Sequence, residues 1–295
     1  MKPTFNKIPL GYIELDNGAK AITPMNDLFL NYLFENPENW EALRNTVNIM
    51  LDEYKSRNPA TKAALVTGKI KVETQYKYLS SASAIPKAQD IKMATDNELT
   101  YIEFHNYESH NSPVAVRSVE YFGLAIGRSK GKTANQIWFL AEKSESVLKG
   151  KIFARYILKD EETGESHPDD SGILYISLSK LAEENSIAGE LAGFLLGKAT
   201  DPKSEEVKKI AERFKTGFST FSADKEVKMF LSLKDRGVME GRVEGEAKGI
   251  TKGIAKGLSA AADEFFELLA QGFTPEEARD KIKSKAYTEE KSLAE

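Results

Sequence analysis

The spacing of hydrophobic residues changes several times along the chain, and each change predicts a new element. Apolar positions recur with helical spacing in residues 26–35 and again in residues 40–54, with a break containing proline and asparagine between them. In residues 91–93 and 101–105 apolar and polar side chains alternate instead, and the Asp-Asn pair at 96–97 is a turn signal. This part of the chain therefore predicts two helices followed by a β-hairpin.

The residues after the hairpin predict further helices and strands. A helix begins at Pro113, and three apolar runs typical of strands buried on both faces follow it, at residues 136–141, 152–158 and 173–178. Residues 201–230 return to the helical spacing of one amphipathic helix. Helices before and after a sheet of about five strands predict an α/β fold.

A glycine repeat sets the C-terminal part of the chain apart. Glycine recurs at every fourth position: Gly237, Gly241, Gly245, Gly249, Gly253 and Gly257. Each glycine lowers helix stability by about 1 kcal/mol relative to alanine, so an isolated helix of this composition is marginal. Close packing against a second copy of the chain explains the repeat, and a flexible linker is the other explanation. We therefore expect a main domain at 1–230, a glycine-repeat segment at 231–258 and a small helical hairpin at 259–295, whose second helix Thr274 caps.

Composition narrows the chemistry that these 295 residues can perform. Because the chain has no cysteine and 3 histidines, disulfides, thiolate catalysis and cysteine zinc sites are excluded, and any metal must be held mainly by oxygen. No apolar run approaches the roughly 18 residues that span a bilayer. The N-terminus lacks the pattern of a signal peptide, so we expect a cytoplasmic protein without a membrane partner.

Charge bears on the kind of partner. The formal net charge of −4 disfavours broad non-specific binding to DNA, because such binding depends on lysine and arginine that neutralise phosphates. A local basic groove is still compatible with this charge. Residues 69–71 and 128–132 are the candidates for such a groove, and solvated surface charge is the alternative interpretation.

The predicted hairpin carries the candidate catalytic residues. Because successive side chains of a strand point to opposite faces, Glu103 and His105 share one face, whereas Ile102 and Phe104 share the other. If antiparallel pairing brings Asp90 alongside, two carboxylates and an imidazole converge at one end of the sheet. Such a set suits a hard divalent cation and an activated water.

This pattern resembles the PD-(D/E)xK nuclease superfamily, and in particular the Rpn-type recombination-promoting nucleases, which are also described as transposase-like. Asp90 and Glu103 match the two acids of the motif, whereas His105 stands where lysine or glutamine is usual. Three further features look like the same family: residues 26–34, the pair Arg117 and Tyr121, and the glycine-repeat tail. The resemblance spans most of the chain and implies a restriction-endonuclease-like mixed sheet flanked by helices.

The resemblance also implies a magnesium site, with manganese as a substitute ion. Asp90, Glu103 and the Phe104 carbonyl would hold the ion, and Asp27 matches an acid that can join the site. Capping of the first predicted helix is the structural alternative for Asp27.

Arg117 and Tyr121 lie one helical turn apart, on one face of the helix that follows the hairpin. Near the N-terminal end of a helix, an arginine and a tyrosine can bind the same phosphate group. The alternative is an arginine paired with Glu120 or Glu103 and a tyrosine packed in the core.

The resemblance therefore implies a magnesium-dependent endonuclease that hydrolyses phosphodiester bonds in DNA, and these residues are its expected site. His105 can act as a general base or as a metal ligand at neutral pH, but it does not carry the permanent positive charge of a lysine. The alternative is therefore a catalytically degenerate protein of the same fold that binds nucleic acid or assembles into oligomers through its tail. The sequence does not separate DNA from RNA as the substrate.

Overall fold

The computed structural model describes residues 9–15, 18–74, 91–105, 113–129, 131–141, 146–166, 170–198 and 201–233, together with 237, 264, 267–268, 271–277 and 279–281 in the tail. The chain divides into two compact units, Met1–Lys228 and Met229–Glu295. The glycine repeat beyond Gly237 lies outside the described residues. Within the described part of the chain, no helix combines the length and the apolar character that a membrane span requires.

The helices and strands have the following bounds. The helices are α1 (Asp27–Glu35), α2 (Trp40–Arg57), α3 (Val114–Arg128), α4 (Leu178–Leu181), α5 (Ile187–Leu195) and α6 (Glu205–Ala223). The strands are β1 (Gly11–Leu15), β2 (Gly18–Ile22), β3 (Lys71–Thr74), β4 (Ile91–Ala94), β5 (Glu98–His105), β6 (Thr133–Leu140), β7 (Phe153–Ile157) and β8 (Gly172–Ser177).

Six of the strands form one mixed sheet in the order β3-β4-β5-β6-β8-β7, and β1 and β2 form a separate antiparallel pair. Strands β3, β4 and β5 are antiparallel neighbours, β5, β6 and β8 run parallel, and β7 is antiparallel to β8. The predicted α/β class is confirmed. The hairpin is also confirmed, because β4 and β5 pair on either side of residues 95–97.

The predicted break between the first two helices is confirmed and has a local cause. Asn26 is the N-cap of α1, where its side chain accepts a hydrogen bond from Phe29 N at 2.9 Å. At the other end of α1, Asn39 Nδ2 donates to Leu33 O at 2.8 Å and Trp40 Nε1 donates to Phe34 O at 2.9 Å. These side chains satisfy carbonyls that have no partner within the helix. A 3-10 turn at Pro37–Asn39 then leads from α1 into α2.

Helices cover both faces of the sheet. The face under α3 holds a buried cluster: Val114, Tyr121, Phe122, Trp138, Leu140, Ile173 and Tyr175. On the opposite face, Phe104 and Phe139 stack at 4.8 Å, and α2 contributes Leu51 above Ile137. Helices α1, α2, α5 and α6 pack together, with Phe214 of α6 in edge-to-face contact with aromatic rings of α1 and α5.

Two predicted elements differ from the structure. The single helix predicted for residues 201–230 is wrong, because Asp224 has an extended backbone and accepts hydrogen bonds from Glu226 N (2.8 Å) and Val227 N (3.2 Å). Its carboxylate therefore ends α6 and caps a new helix at residues 225–233. The prediction that residues 152–158 are buried on both faces is also wrong, since β7 is an edge strand and Tyr156 is 49% exposed.

In the second unit, the described residues include the start of the predicted second hairpin helix. Thr274 N donates to Glu277 Oε2 at 2.8 Å, and Glu277 N donates to Thr274 Oγ1 at 3.3 Å. This reciprocal pair is a capping box, and residues 275–277 after it are helical. The predicted cap at Thr274 is confirmed.

Candidate functional site

A row of three side chains crosses the parallel strands on the face that α3 covers. Glu103 of β5 lies opposite Trp138 of β6, and Trp138 lies opposite Tyr175 of β8. All three are buried, with exposures of 2%, 0% and 3%. The row lies near the carboxyl ends of the parallel strands, which in α/β sheets is the end where ligands most often bind.

His105 and Arg117 meet beside this row. His105 shares the face of Glu103, and its Nδ1 lies 3.4 Å from Arg117 Nη1. Because a guanidinium can only donate, this contact is a hydrogen bond only when Nδ1 is the acceptor. In that case the imidazole is neutral and carries its proton on Nε2.

Aromatic rings hold the guanidinium of Arg117. It lies 5.5 Å from the ring centre of Tyr121 and 5.8 Å from that of Trp138, and Arg117 Nη2 donates to Tyr121 OH at 3.4 Å. The rings of Tyr121 and Trp138 are themselves stacked at 6.1 Å. Cation–π contacts keep the positive charge of Arg117 on this face of the sheet.

Two further hydrogen bonds fix the residues under α3. Trp138 Nε1 donates to Gln136 Oε1 at 3.0 Å, and the hydroxyls of Ser118 and Tyr175 are hydrogen-bonded to each other. Burial raises the pKa of the Tyr175 hydroxyl, while the bond to Ser118 acts in the opposite direction. The phenol therefore stays protonated at neutral pH and is available as a donor.

The structure brings four of the predicted site residues to one region: Glu103, His105, Arg117 and Tyr121. Tyr121 is packed in the core, as its alternative interpretation expected, and its hydroxyl also contacts Arg117. The ring of Phe104 lies on the opposite face of the sheet, where it stacks on Phe139. The prediction that Phe104 is a metal ligand concerns its backbone carbonyl and not its ring.

Of the two other predicted acids, the structure describes only Asp27, which lies on α1 away from this group. Asp90 lies outside the described residues, but Ile91, the next residue, pairs with Ile102. Asp27 is exposed in the first turn of α1, where its Oδ1 accepts from Leu28 N at 2.9 Å. The interpretation of Asp27 as the helix cap is wrong, because Asn26 occupies that position.

The described residues supply only part of a metal site. Among them, no group of three or more histidine, aspartate or glutamate side chains is arranged to hold an ion. Glu103 provides one carboxylate, and a carboxylate and a carbonyl are the hard oxygen ligands that magnesium prefers. The donor set fits magnesium in kind.

The candidate basic groove has mostly local contacts in the described residues. Lys71 Nζ lies 3.7 Å from Glu73 Oε1, and Lys132 Nζ donates to Thr95 O at 2.7 Å. Glu73 also pairs with Lys92 at 3.0 Å, and this hydrogen bond lowers the pKa of the Glu73 carboxyl. These contacts agree with the alternative interpretation of solvated surface charge.

A small cavity lies on the opposite face, at the amino ends of the parallel strands. Its volume is about 20 Å³, enough for one water molecule. Six of the residues that line it are Leu51, Val66, Glu98, Thr100, Asn135 and Arg155.

Sequence reasoning missed Trp138, Tyr175 and Ser118. The two aromatic residues lie in strands that were predicted only as buried, and Ser118 was not distinguished from its neighbours. An indole or a phenol within an apolar strand is a usable signal, because its polar atom requires a partner when it is buried.

Comparison with protein-family models, with curated proteins and with solved structures found no match for this chain.

Proposed function

We propose that this protein is a magnesium-dependent endonuclease that acts on DNA. The observation that carries the proposal is the contact of Arg117 with His105 and Tyr121 on the face of the sheet that also carries Glu103. An acid, an imidazole and a phosphate-binding arginine are the groups that metal-assisted phosphodiester hydrolysis uses. The proposal includes the recombination-promoting, transposase-like nuclease class that the motif resembles.

The chain order supports the finer assignment to the PD-(D/E)xK fold. Helix α2 is followed by the antiparallel strands β3, β4 and β5, then by α3, and then by β6 parallel to β5. This is a mixed sheet flanked by helices, with Glu103 in the third strand of the antiparallel series. The arrangement agrees with the fold that the motif implies.

The register of β4 supports the proposed ligand set. Ile91, the first residue of β4, pairs with Ile102, the residue before Glu103, so this end of β4 lies beside Glu103. His105 O accepts from Ala141 N of the β6 side at 2.9 Å. Because carbonyl directions alternate along a strand, the Phe104 carbonyl turns toward β4. Asp90, Glu103 and the Phe104 carbonyl would hold magnesium or manganese.

Each remaining residue has a role in the proposed reaction. The ion, when bound, lowers the pKa of a coordinated water and neutralises charge on the scissile phosphate. Arg117 binds a phosphate oxygen, and its contact with His105 Nδ1 is broken when it does so. The freed nitrogen would then accept the proton of the attacking water as the water oxygen bonds to phosphorus and the bond from phosphorus to the leaving oxygen breaks. Tyr121 OH would donate to the same phosphate group, and the leaving oxygen would take a proton from solvent.

The test measures nicking of supercoiled plasmid DNA with magnesium. We expect Asp90→Ala and Glu103→Gln each to slow nicking at least about hundredfold, since each removes a ligand charge. Glu73→Gln is the matched control and should nick at the wild-type rate, because Glu73 belongs to a surface ion pair. A labelled RNA of the same sequence, run in parallel, decides between the two nucleic acids. Equal nicking by all four proteins would remove the enzyme assignment.

The alternative is a catalytically degenerate protein of this fold that binds nucleic acid. The observation that favours it is the burial of Glu103, which is 2% exposed and therefore has little access to a hydrated ion. This alternative predicts that DNA binding depends on Arg117 and not on magnesium. Fluorescence anisotropy of labelled DNA, with wild type and Arg117→Ala in magnesium and in EDTA, measures both dependences.

A further inference from the structure

A buried hydrogen bond joins α3 to β8, on the far side of β6 from the proposed site. Ser118 Oγ and Tyr175 OH are in contact, with exposures of 0% and 3%. Ser118 Oγ also lies 2.9 Å from Ala115 O, a carbonyl that can only accept. The single Ser118 proton is therefore donated to Ala115, and Tyr175 is the donor to Ser118.

This hydrogen bond is a polar contact that ties α3 to β8, in addition to the buried apolar side chains of α3 such as Phe122 and Ala125. Ser118 follows Arg117 directly, and consecutive residues of a helix point about 100° apart. When Ser118 is directed at β8, Arg117 is directed at β5, where it meets His105. The contact of Arg117 with Tyr121 does not fix that direction, because both residues lie on α3 and rotate together.

We propose that Tyr175 is a positioning residue that holds the guanidinium of Arg117 beside Glu103 and His105, acting through Ser118. The catalytic consequence of this positioning rests on the proposed nuclease function, whereas the positioning itself does not. Trp138 completes the arrangement, since it lies between Glu103 and Tyr175 in the row and beneath Arg117.

Loss of the Tyr175 hydroxyl changes one contact without changing the shape of the core. In Tyr175→Phe the ring still packs in its cluster, but Ser118 Oγ loses the donor that ties it to the sheet. Ser118 Oγ keeps its hydrogen bond to Ala115 O, but that bond lies within α3, so the variant loses the hydrogen bond between Ser118 and β8 and we expect α3 to shift on the sheet. Arg117 moves with it. A displacement of about 1 Å at a catalytic centre can reduce a rate about hundredfold.

The decisive experiment is a double-mutant cycle with the full-length chain. We expect Tyr175→Phe to lower kcat/KM for plasmid nicking about tenfold to a hundredfold, and to have no further effect in an Arg117→Ala background. Ser118→Ala removes the same hydrogen bond by deleting its acceptor. This variant should show the same loss of kcat/KM and, like Tyr175→Phe, no further effect in the Arg117→Ala background. Equal effects of Tyr175→Phe in both backgrounds would overturn the proposal, because a purely structural loss does not depend on Arg117.

Tyr156→Phe is the matched control. This variant also removes one phenolic hydroxyl. The ring of Tyr156 contacts the ring of Tyr175, with 5.7 Å between their centres, but Tyr156 is half exposed. This variant should nick at the wild-type rate.

A second measurement does not depend on nuclease activity. In proton–nitrogen NMR spectra of the whole protein, the Nε–H signal of Arg117 and the amide of Ser118 should shift in Tyr175→Phe and remain in place in Tyr156→Phe. An unmoved Arg117 signal in Tyr175→Phe overturns the positioning role. If the wild-type protein does not nick DNA, the proposed function fails and the NMR result alone decides the role of Tyr175.

Discussion

At the scale of single residues, Glu98 differs from the other acids of the sheet. It lies at the start of β5, beside the small cavity, and its Oε1 accepts from Asn135 Nδ2 at 3.5 Å. Arg155, a positively charged residue that also lines this cavity, forms a salt bridge with Asp170 at 3.0 Å. Burial, and then the charge of Asp170, raise the pKa of the Glu98 carboxyl.

The raised pKa predicts the sign of a pH-dependent effect. Protonation of Glu98 favours the fold, so its contribution is fully present below the unfolded pKa of about 4.3 and is lost as pH rises through the folded value. We expect Glu98→Gln to unfold at higher denaturant concentration than wild type at pH 7, with a difference that shrinks toward pH 4. Urea unfolding at several pH values measures this difference.

Glu73→Gln is the opposite case and serves as the control. The pKa of Glu73 is lowered by Lys92, so its charge stabilises the fold above the unfolded pKa and this contribution disappears as pH falls. Since the pair is about half exposed, its loss at pH 7 should lower stability by less than about 1 kcal/mol. A stabilised Glu73→Gln, or a destabilised Glu98→Gln, at pH 7 would contradict the assignment.

At the scale of elements, two helical glycines differ in what surrounds them. A Cβ on Gly189 of α5 would press against the backbone carbonyl oxygens of Glu184 and Leu181, at 2.7 Å from the latter. A Cβ on Gly123 of α3 would meet no atom within 4 Å. The connection from α4 to α5 folds back on the first turn of α5, and this close approach requires glycine.

The same substitution should therefore have opposite effects at the two positions. Gly123→Ala should stabilise the protein by up to about 1 kcal/mol, because alanine favours helix. Gly189→Ala should destabilise it by about 1–3 kcal/mol, since backbone carbonyls must move. Helix propensity alone predicts stabilisation of both variants. Guanidinium unfolding of the two variants and wild type separates these expectations.

At the scale of the whole molecule, both sheets and α1 to α6 lie within the first compact unit. The glycine repeat belongs to the second unit, and small residues at a regular period permit close contact between helices. This repeat supports the expectation of a homo-oligomer formed through the tail. The flexible-linker interpretation predicts a monomer.

Deletion of residues 234–295 distinguishes these two possibilities. We expect the chain 1–233 to unfold cooperatively and to sediment as a monomer, because it keeps the sheet and the helical residues 225–233. The full-length chain should sediment at a multiple of the monomer mass. Analytical ultracentrifugation of both proteins at the same molar concentration makes the comparison, and equal monomer masses would favour the linker.

The sequence by itself determined the features that depend on near neighbours. The two-residue period of a strand predicted that Glu103 and His105 share a face, and the helical period predicted that Arg117 and Tyr121 do. The position of Thr274, directly before a helical segment, likewise predicted that it caps that helix. These relations involve residues within four positions of one another, where backbone geometry decides which side chains meet.

Only the tertiary structure decided which elements lie side by side. The row of Glu103, Trp138 and Tyr175 exists because β6 lies between β5 and β8, an order that no local pattern contains. The contact of Ser118 with Tyr175 joins residues 57 positions apart. Hydrophobic burial is non-directional, so the alternation of a strand predicts that a face is buried but not which strand or helix covers it.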